Sequence, residues 1–391
     1  MVEREFLFDM SRLVWRAWTG RLPTGIDRVC LAYLDHFGPR SQAVVQRKEL
    51  RMILSPSQSD QLFSLLRQRG KGFRRSVTVL LAQAAARGPI KRAGNSRVYL
   101  NIGHTGLDAE GLTTWLARQG LKPIYLIHDL IPITHPEFCR GGEPKRHLAR
   151  MRHVLQSAHG IIGNSAATIA DLAAFAAATK LAMPVSLVAW LGADEQVLPA
   201  PIKLPSRPYF VIIGTIEARK NHLLLLHLWE RLVTRLGNAA PQLLIIGQRG
   251  WEAGQRGWEA DQVFALLDHS TCLKGHVREL GRCDDPTMRG YLDGARALLM
   301  PSFIEGFGIP IIEALQRGTP VIASDLPVFR EIAGSIPDYV DPLDGEGWER
   351  AIMAIAVDGP ERTRQLAAIP SFRAPDWAEH FALVERWLKK L

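Results

Sequence analysis

Short runs of Val, Ile and Leu recur along almost the whole chain, each followed by a stretch of helical periodicity. "FLFDM" (6–10), "RVYLNIG" (97–103), "PIYLIHD" (123–129), "GIIGNS" (160–165) and "VSLVAWLG" (185–192) come first. "YFVIIGT" (209–215), "QLLIIG" (242–247), "TCLKG" (271–275), "ARALLMPS" (295–302) and "PVIASD" (320–325) follow. Continuous apolar strands separated by helices predict parallel sheets buried on both faces. A proline-rich loop, "LPAPIKLPSRP" (198–208), splits the strands into two sets. The expected fold class is therefore α/β, with two Rossmann-like, doubly wound domains, 1–195 and 203–371, facing a central cleft. In such sheets ligands sit beyond the carboxyl ends of strands, so the loops after strands carry the chemistry.

The bulk properties suit that architecture. At 391 residues and 47% hydrophobic, the chain is long enough for two cores and too apolar for disorder to dominate. No apolar run reaches the length of a membrane-spanning helix. The start, "MVEREFLFDM", carries Glu3, Arg4 and Glu5, unlike a signal peptide, so a cytoplasmic protein is expected. Cys30, Cys139, Cys272 and Cys283 form no close pair, which argues against a disulfide framework or a zinc site.

The charge is uneven. Residues 1–195 hold 26 Lys and Arg against 15 Asp and Glu, whereas 196–391 hold 22 against 24. The first half thus has an anionic partner as its expectation, or simply a solvated basic surface. Within it, "LFSLLRQRGKGFRRS" (62–76) interleaves Arg67, Arg69, Lys71, Arg74 and Arg75 with Phe63, Leu65, Leu66 and Phe73. Arg87, Lys91, Arg92 and Arg97 follow. A basic amphipathic segment suits an anionic bilayer, giving a peripheral place on the inner face of the cell membrane; an ordinary solvated helix is the alternative. Nucleic acid is not expected, since no aromatic-interleaved recognition motif is present.

Two stretches carry the chemistry. In "PSFIEGFGIPIIEALQRGTP" (301–320) a strand ends at Pro301-Ser302, Gly306 and Gly308 let the backbone turn, and Pro310 and Gly318 mark the start and stop of a helix. Glu313 is expected in its first turn and Glu305 in the loop before it. A helix N-terminus attracts anions. Carboxylates repel phosphate, so the partners expected for these two are the hydroxyls of a ribose and a sugar. Dipole complementarity, about 0.3–1 kcal/mol, would account for Glu313 alone but not for Glu305 or the glycines. In "VIIGTIEARKNHLLLLHLWERL" (211–232) a strand ends at Gly214, Asn221 is a candidate N-cap, and Arg219 and Lys220 precede the helix. Two cations beside a helix N-terminus fit a diphosphate between them; a solvated loop pair is the alternative.

"GTIEARKNH" followed by "PSFIEGFGIPIIEALQRGTPVIASDLPVFREIAG" resembles the nucleotide-sugar domain of glycosyltransferase family 4, densely over 209–345. "LIHDLIP" and "GIIGNSAATIADL" are similar to segments of its first half. The resemblance implies the GT-B fold, whose last helix, here 372–391, packs back on the first domain with its tryptophans buried. It implies that Glu313 binds the ribose, that Glu305 holds the transferred sugar with the backbone of Phe307 and Gly308, and that Arg219 and Lys220 bind the diphosphate beside Gly214. Val277, after Gly275, would lie against the base, or belong to an ordinary turn. Gly25 of "RLPTGIDRV" would approach the diphosphate, although Thr24 replaces the usual paired glycine. His128 would orient a sugar hydroxyl or stabilise positive charge at the anomeric carbon, with His104 and Ser165 as lesser candidates. The family retains anomeric configuration and works without a metal or other cofactor.

The implied reaction is transfer of a hexose to a saccharide, on a lipid carrier, in surface polysaccharide synthesis. GDP-mannose is the first donor expected, because "GTIEARKNH" resembles bacterial mannosyltransferases; rhamnose, glucose and galactose stay open. A sugar-nucleotide epimerase would act on donors alone. A silent nucleotide-binding scaffold would be expected to have lost one of the four charged residues. The doublet "QRGWEAG" and "QRGWEAD" (248–261) is expected to lengthen a loop before a helix near Ala260.

Overall fold

The computed structural model describes residues 4–20, 24–68, 70, 72–88, 97–193, 198–250 and 260–391. The chain divides into two compact units, Met1–Ile133 with Gly142–Leu191 and Trp377–Leu391, and Thr134–Gly141 with Gly192–Asp376.

The first unit is built on seven strands: β1 (Phe6–Asp9), β2 (Ser41–Arg47), β3 (Leu50–Ile53), β4 (Val98–Asn101), β5 (Lys122–Ile127), β6 (Gly160–Gly163) and β7 (Ser186–Val188). Their order is β3-β2-β1-β4-β5-β6-β7, parallel except where β3 returns antiparallel along β2. Strand β2 escapes the apolar-run rule because buried Gln42 and Gln46 interrupt it. Both glutamines donate from their amides, Gln42 to the Leu54 carbonyl (2.8 Å) and Gln46 to Asp9 Oδ2 (2.6 Å), and such partners let polar side chains enter a core. Leu7, Tyr99, Tyr125, Ile127 and Ile161 pack from the strands against Leu116, Met151, Val154 and Leu172 from helices.

The basic stretch 62–76 is not one segment. It spans the helices Pro56–Gln68 and Phe73–Ala86, which break at Gly72 (φ 92°). Phe63, Leu66 and Phe73 are buried, while Arg67 pairs with Asp35 and Arg74 donates to the Trp18 carbonyl. Arg69, Lys71, Lys91 and Arg92 lie outside the described residues. The last helix, Trp377–Leu388, packs within this unit: His380 bonds the Tyr33 hydroxyl (2.8 Å), Phe381 meets Tyr33 and Phe37, and Glu385 pairs with Arg40. Its tryptophans are only half-buried, contrary to expectation; His380, Phe381 and Val384 form the buried stripe at i, i+1 and i+4.

The second unit holds β8 (Tyr209–Ile213), β9 (Gln242–Ile246), β10 (Val277–Gly281), β11 (Leu298–Met300), β12 (Val321–Ser324) and β13 (Asp338–Val340), all parallel, in the order β10-β9-β8-β11-β12-β13. Helix His222–Leu236 buries Leu225, Leu228, Trp229 and Leu232, one face at helical spacing, against Phe210, Ile212, Leu243 and Ile245. Asn221 stands at its N-terminus, but in the left-handed region (φ 56°). Its side chain donates to the Pro342 carbonyl (3.0 Å) rather than capping the helix. Residues 271–275, expected as a strand, form a turn, and the strand begins at Val277. Of the doublet, 251–259 lie outside the described residues, and the helix after it runs Asp261–His269.

Each sheet reverses its strand order once, between β1 and β4 in the first unit and between β8 and β11 in the second. The loops leaving those adjacent strands diverge to opposite faces and open a crevice at the carboxyl edge. No described helix is long and apolar enough to cross a membrane.

Candidate active site

In the second unit the switch point is occupied by charge. The loop after β8 carries Gly214, Arg219 and Lys220, and the loop after β11 carries Ser302 to Gly308. The Phe303 amide donates to the Arg219 carbonyl (2.8 Å) and ties the two loops together. Glu305 lies at their junction. Its Oε2 meets Arg219 Nη1 at 2.8 Å, its Oε1 pairs with Lys220 Nζ, and Ser302 Oγ donates to Oε1 (2.9 Å). Burial alone would raise the Glu305 pKa, but Arg219 and Lys220 hold it down at about 2. Burial lowers the Lys220 pKa, and Glu305 opposes that shift. The group brings two fixed cations, Arg219 and Lys220, onto the one carboxylate of Glu305. Arg219 also reaches Glu217 (3.1 Å) and the Ile304 carbonyl (3.4 Å), which fixes its fork.

Two glycines are required here. Gly214 adopts φ 139°, and a Cβ there would approach Lys220 Cε to 3.1 Å. Gly308 adopts φ 115° at the N-cap of helix Ile309–Gln316, and a Cβ would lie 2.9 Å from Ile332 and 3.0 Å from Phe329. Phe307 is buried beside it. The helix starts one residue earlier than expected, with Pro310 second, so Glu313 is its fifth residue, beyond the first turn, and is buried. Dipole complementarity, confined to the first turn, therefore does not account for Glu313.

Val277 does not fit its expected place. It opens β10, whose partners run Val277↔Leu243 to Gly281↔Ile246, so it stands at the amino edge of the sheet. The Gly214 and Glu305 loops leave from the carboxyl edge. Gly281, whose carbonyl accepts from the Gly247 amide (2.8 Å), ends β10 on the site's side, followed by Arg282 and Cys283. The misplacement follows from reading 271–275 as the strand.

In the first unit, Gly25 is not in a turn but is the first residue of helix Gly25–Phe37. Thr24 is its N-cap in a reciprocal box with Asp27: the Thr24 amide donates to Asp27 Oδ2 (2.7 Å). Asp27 is fully buried between Arg12 (2.7 Å) and Arg16 (2.7 Å). Arg12 also reaches Thr24 Oγ1 (3.2 Å) and the Gly103 carbonyl (3.5 Å), bridging the two loops at this unit's switch point.

His128 follows β5 and is buried, its ring 5.1 Å from that of His104. His128 Nε2 bonds the Ile102 carbonyl (2.8 Å) and His104 Nε2 the Leu126 carbonyl (2.9 Å). A carbonyl only accepts, so each Nε2 carries the proton and each Nδ1 remains an acceptor in the neutral ring. Burial lowers the His128 pKa to about 4 and that of His104 well below the usual value. A neutral acceptor suits orienting a hydroxyl, not carrying positive charge. His104 itself adopts φ 57°, unusual for a side chain of its bulk. Ser165 is a helix cap, accepting from the Thr168 amide (3.0 Å).

Sequence reasoning missed Ser302, Arg12, Arg16 and Asp27. Ser302 was visible at the strand end; the Arg12–Asp27 pair, spanning a loop, left no local signal. Among the described residues no group of three metal-binding side chains converges.

The match to a known family falls within this second unit. Residues 196–364 match the model of glycosyl transferases group 1. The chain is 29% identical over 234 residues to the serotype-specific mannosyltransferase WbdA of Escherichia coli, covering 56% of this chain and 28% of that one. It is 29% identical over 249 residues to the O-antigen chain mannosyltransferase B of Escherichia coli, covering 60% and 61%. It thus spans less than two thirds of either relative. Among solved structures, Anabaena HepE in complex with UDP and glucose superposes with a TM-score of 0.66 at 14% identity, over 99% of each chain. That likeness shows the GT-B fold.

Proposed function

We infer that this chain, whose residues 196–364 match the model of glycosyl transferases group 1, transfers a hexose from a nucleoside diphosphate sugar to a saccharide acceptor. The first donor proposed is GDP-mannose, a choice supported by the mannosyltransferase names of its relatives. The acceptor proposed is a lipid-linked saccharide of a surface polysaccharide, met at the membrane by the basic first half.

The observation that carries this reading is the ion-paired Arg219–Lys220–Glu305 cluster at the switch point of the second sheet. As the bond between the anomeric carbon and the phosphate oxygen breaks, negative charge grows on the leaving diphosphate. Arg219 and Lys220, already fixed, stabilise that charge without reorganising. In this proposal no metal or other cofactor is needed. Glu305 accepts from hydroxyls of the transferred sugar, beside the Phe307 and Gly308 backbone, and Glu313 accepts from the ribose. The base lies toward Gly281–Cys283 rather than Val277. His128 Nδ1 accepts from a sugar hydroxyl. The acceptor oxygen attacks on the face the diphosphate leaves, and its proton passes to the departing phosphate oxygen, so configuration is retained.

The test is calorimetric titration with GDP, UDP, ADP and dTDP, first without and then with magnesium. One nucleotide should bind without metal. Glu313→Ala should weaken that binding about 10–100-fold, the range of a hydrogen bond to a charged group, while Glu305→Ala should reduce turnover more than affinity. Full activity in both variants would overturn the assignment, and NMR of the product's anomeric proton would expose inversion.

A further inference from the structure

The first unit carries a surface chain of aromatic and basic side chains that the proposed chemistry leaves unused. Its contacts run from Arg47 through Trp15 and Trp18 to Arg74. Trp15 donates from Nε1 to the Gln46 carbonyl (3.0 Å) and lies under the Arg47 guanidinium, 5.0 Å from its ring centre. Trp18 meets Trp15 edge to face at 6.1 Å, and its carbonyl accepts from Arg74 Nε (2.5 Å). Arg47 pairs in the sheet with Leu50 across a tight hairpin whose Lys48 adopts φ 53°. Leu50 is 63% exposed, and Val79, one turn along the helix from exposed Arg75, is 49% exposed.

Composition reinforces the geometry. From 61 to 107 the sequence has nine Lys and Arg and not one Asp or Glu. The hairpin tip adds Arg47 and Lys48 against the single acid Glu49. Indoles with a half-buried apolar body and a polar edge, flanked by basic side chains and an exposed leucine, match the water–hydrocarbon boundary of an anionic bilayer. Phosphate alone would make no use of Leu50 or Val79. The patch also lies where an acceptor would need it: Arg47 ends β2 and helix Ser11–Trp18 follows β1, so both stand at the carboxyl edge of the first sheet, with His104 and His128.

We propose that the surface formed by Trp15, Trp18, Arg47, Lys48, Leu50 and Arg75 docks this unit on an anionic lipid bilayer. Leu50 enters the headgroup region and the cations meet lipid phosphates. The inference draws its purpose from the lipid-linked acceptor proposed above, but docking itself needs neither donor nor turnover.

The experiment is cosedimentation of the full chain with phosphatidylglycerol–phosphatidylcholine vesicles and with phosphatidylcholine vesicles, followed also by tryptophan emission. Binding is expected on the anionic vesicles, with a blue shift, and loss in high salt. Arg47→Glu with Lys48→Glu should lower vesicle affinity about tenfold or more, at roughly 1 kcal/mol per basic residue removed. Leu50→Asp should lower it and remove the blue shift. Both variants should bind nucleoside diphosphate as the parent does, which shows that they are folded. No binding to anionic vesicles, unchanged binding in both variants, or displacement from vesicles by a duplex oligonucleotide would each overturn the proposal. A chain that docks but binds no nucleotide would sink the transferase reading and leave this one standing.

Discussion

The two units differ in the polar groups they present at the carboxyl edges of their sheets. In the second, charge is concentrated and paired: half-buried Arg219 and buried Lys220 both meet half-buried Glu305. In the first, the loop after β5 presents His128 beside His104, both held neutral by burial and by backbone carbonyls. Asp27, buried in the same unit, is consumed by Arg12, Arg16 and its own helix cap. One edge holds fixed, paired charge, and the other presents neutral acceptors. The proposed group transfer asks for both kinds of group, because a leaving diphosphate requires fixed positive charge while sugar hydroxyls require acceptors that do not attract protons.

The largest effect that would break this contrast is expected at the charged edge. Lys220→Ala removes a cation proposed to face the leaving group and leaves Glu305 with Arg219 and Ser302. Turnover should fall about 100-fold or more, the range seen when a preorganised donor is lost. A variant within threefold of the parent in steady-state assays would show that the pair is structural.

A smaller effect separates the units by acid. His128, His153 and His380 are held at about 4, and His104 and His147 are also lowered, all by burial first. All five belong to the first unit; in the second, His222 is held at about 3 and His276 is lowered. Folded-state values below the ordinary 6.5 mean that the unfolded chain binds protons first. The stability these groups contribute is therefore complete above about pH 6.5 and is lost as pH falls toward 4. Each fully buried one is expected to cost up to about 2 kcal/mol at pH 5. Hydrogen exchange between pH 7 and 5 should show the first unit opening before the second; the reverse order would remove the contrast.

The smallest effect belongs to the neutral edge. His128→Ala should lower turnover about tenfold, one hydrogen bond's worth, with nucleotide affinity unchanged. A loss of nucleotide affinity instead would place His128 among the anion-binding groups.

Much of this was legible before any coordinates. The apolar runs at β8, β9, β11 and β12 carry no polar interruption, so parallel strands follow directly. The spacing of Gly308, Pro310 and Gly318 bounded a helix to within one residue, because each acts through its own backbone. Strand β2 was invisible because Gln42 and Gln46 are apolar only in effect, once their partners at Leu54 and Asp9 are in place. The basic run over 62–76 was one segment in sequence and two helices in space. Val277 was misassigned because a short apolar run cannot distinguish a turn from a strand.

The sequence by itself determined the α/β class, the loops that carry Arg219, Lys220, Glu305 and His128, and the asymmetry of charge, since these depend on local chemistry and composition. Only the tertiary structure decided that Glu305 pairs with both cations, that Arg12 and Asp27 join across a loop, and that the His128 proton resides on Nε2. Each of those depends on groups distant in sequence meeting where water is excluded, and a pairing energy of that kind exists only after the strands have set their order.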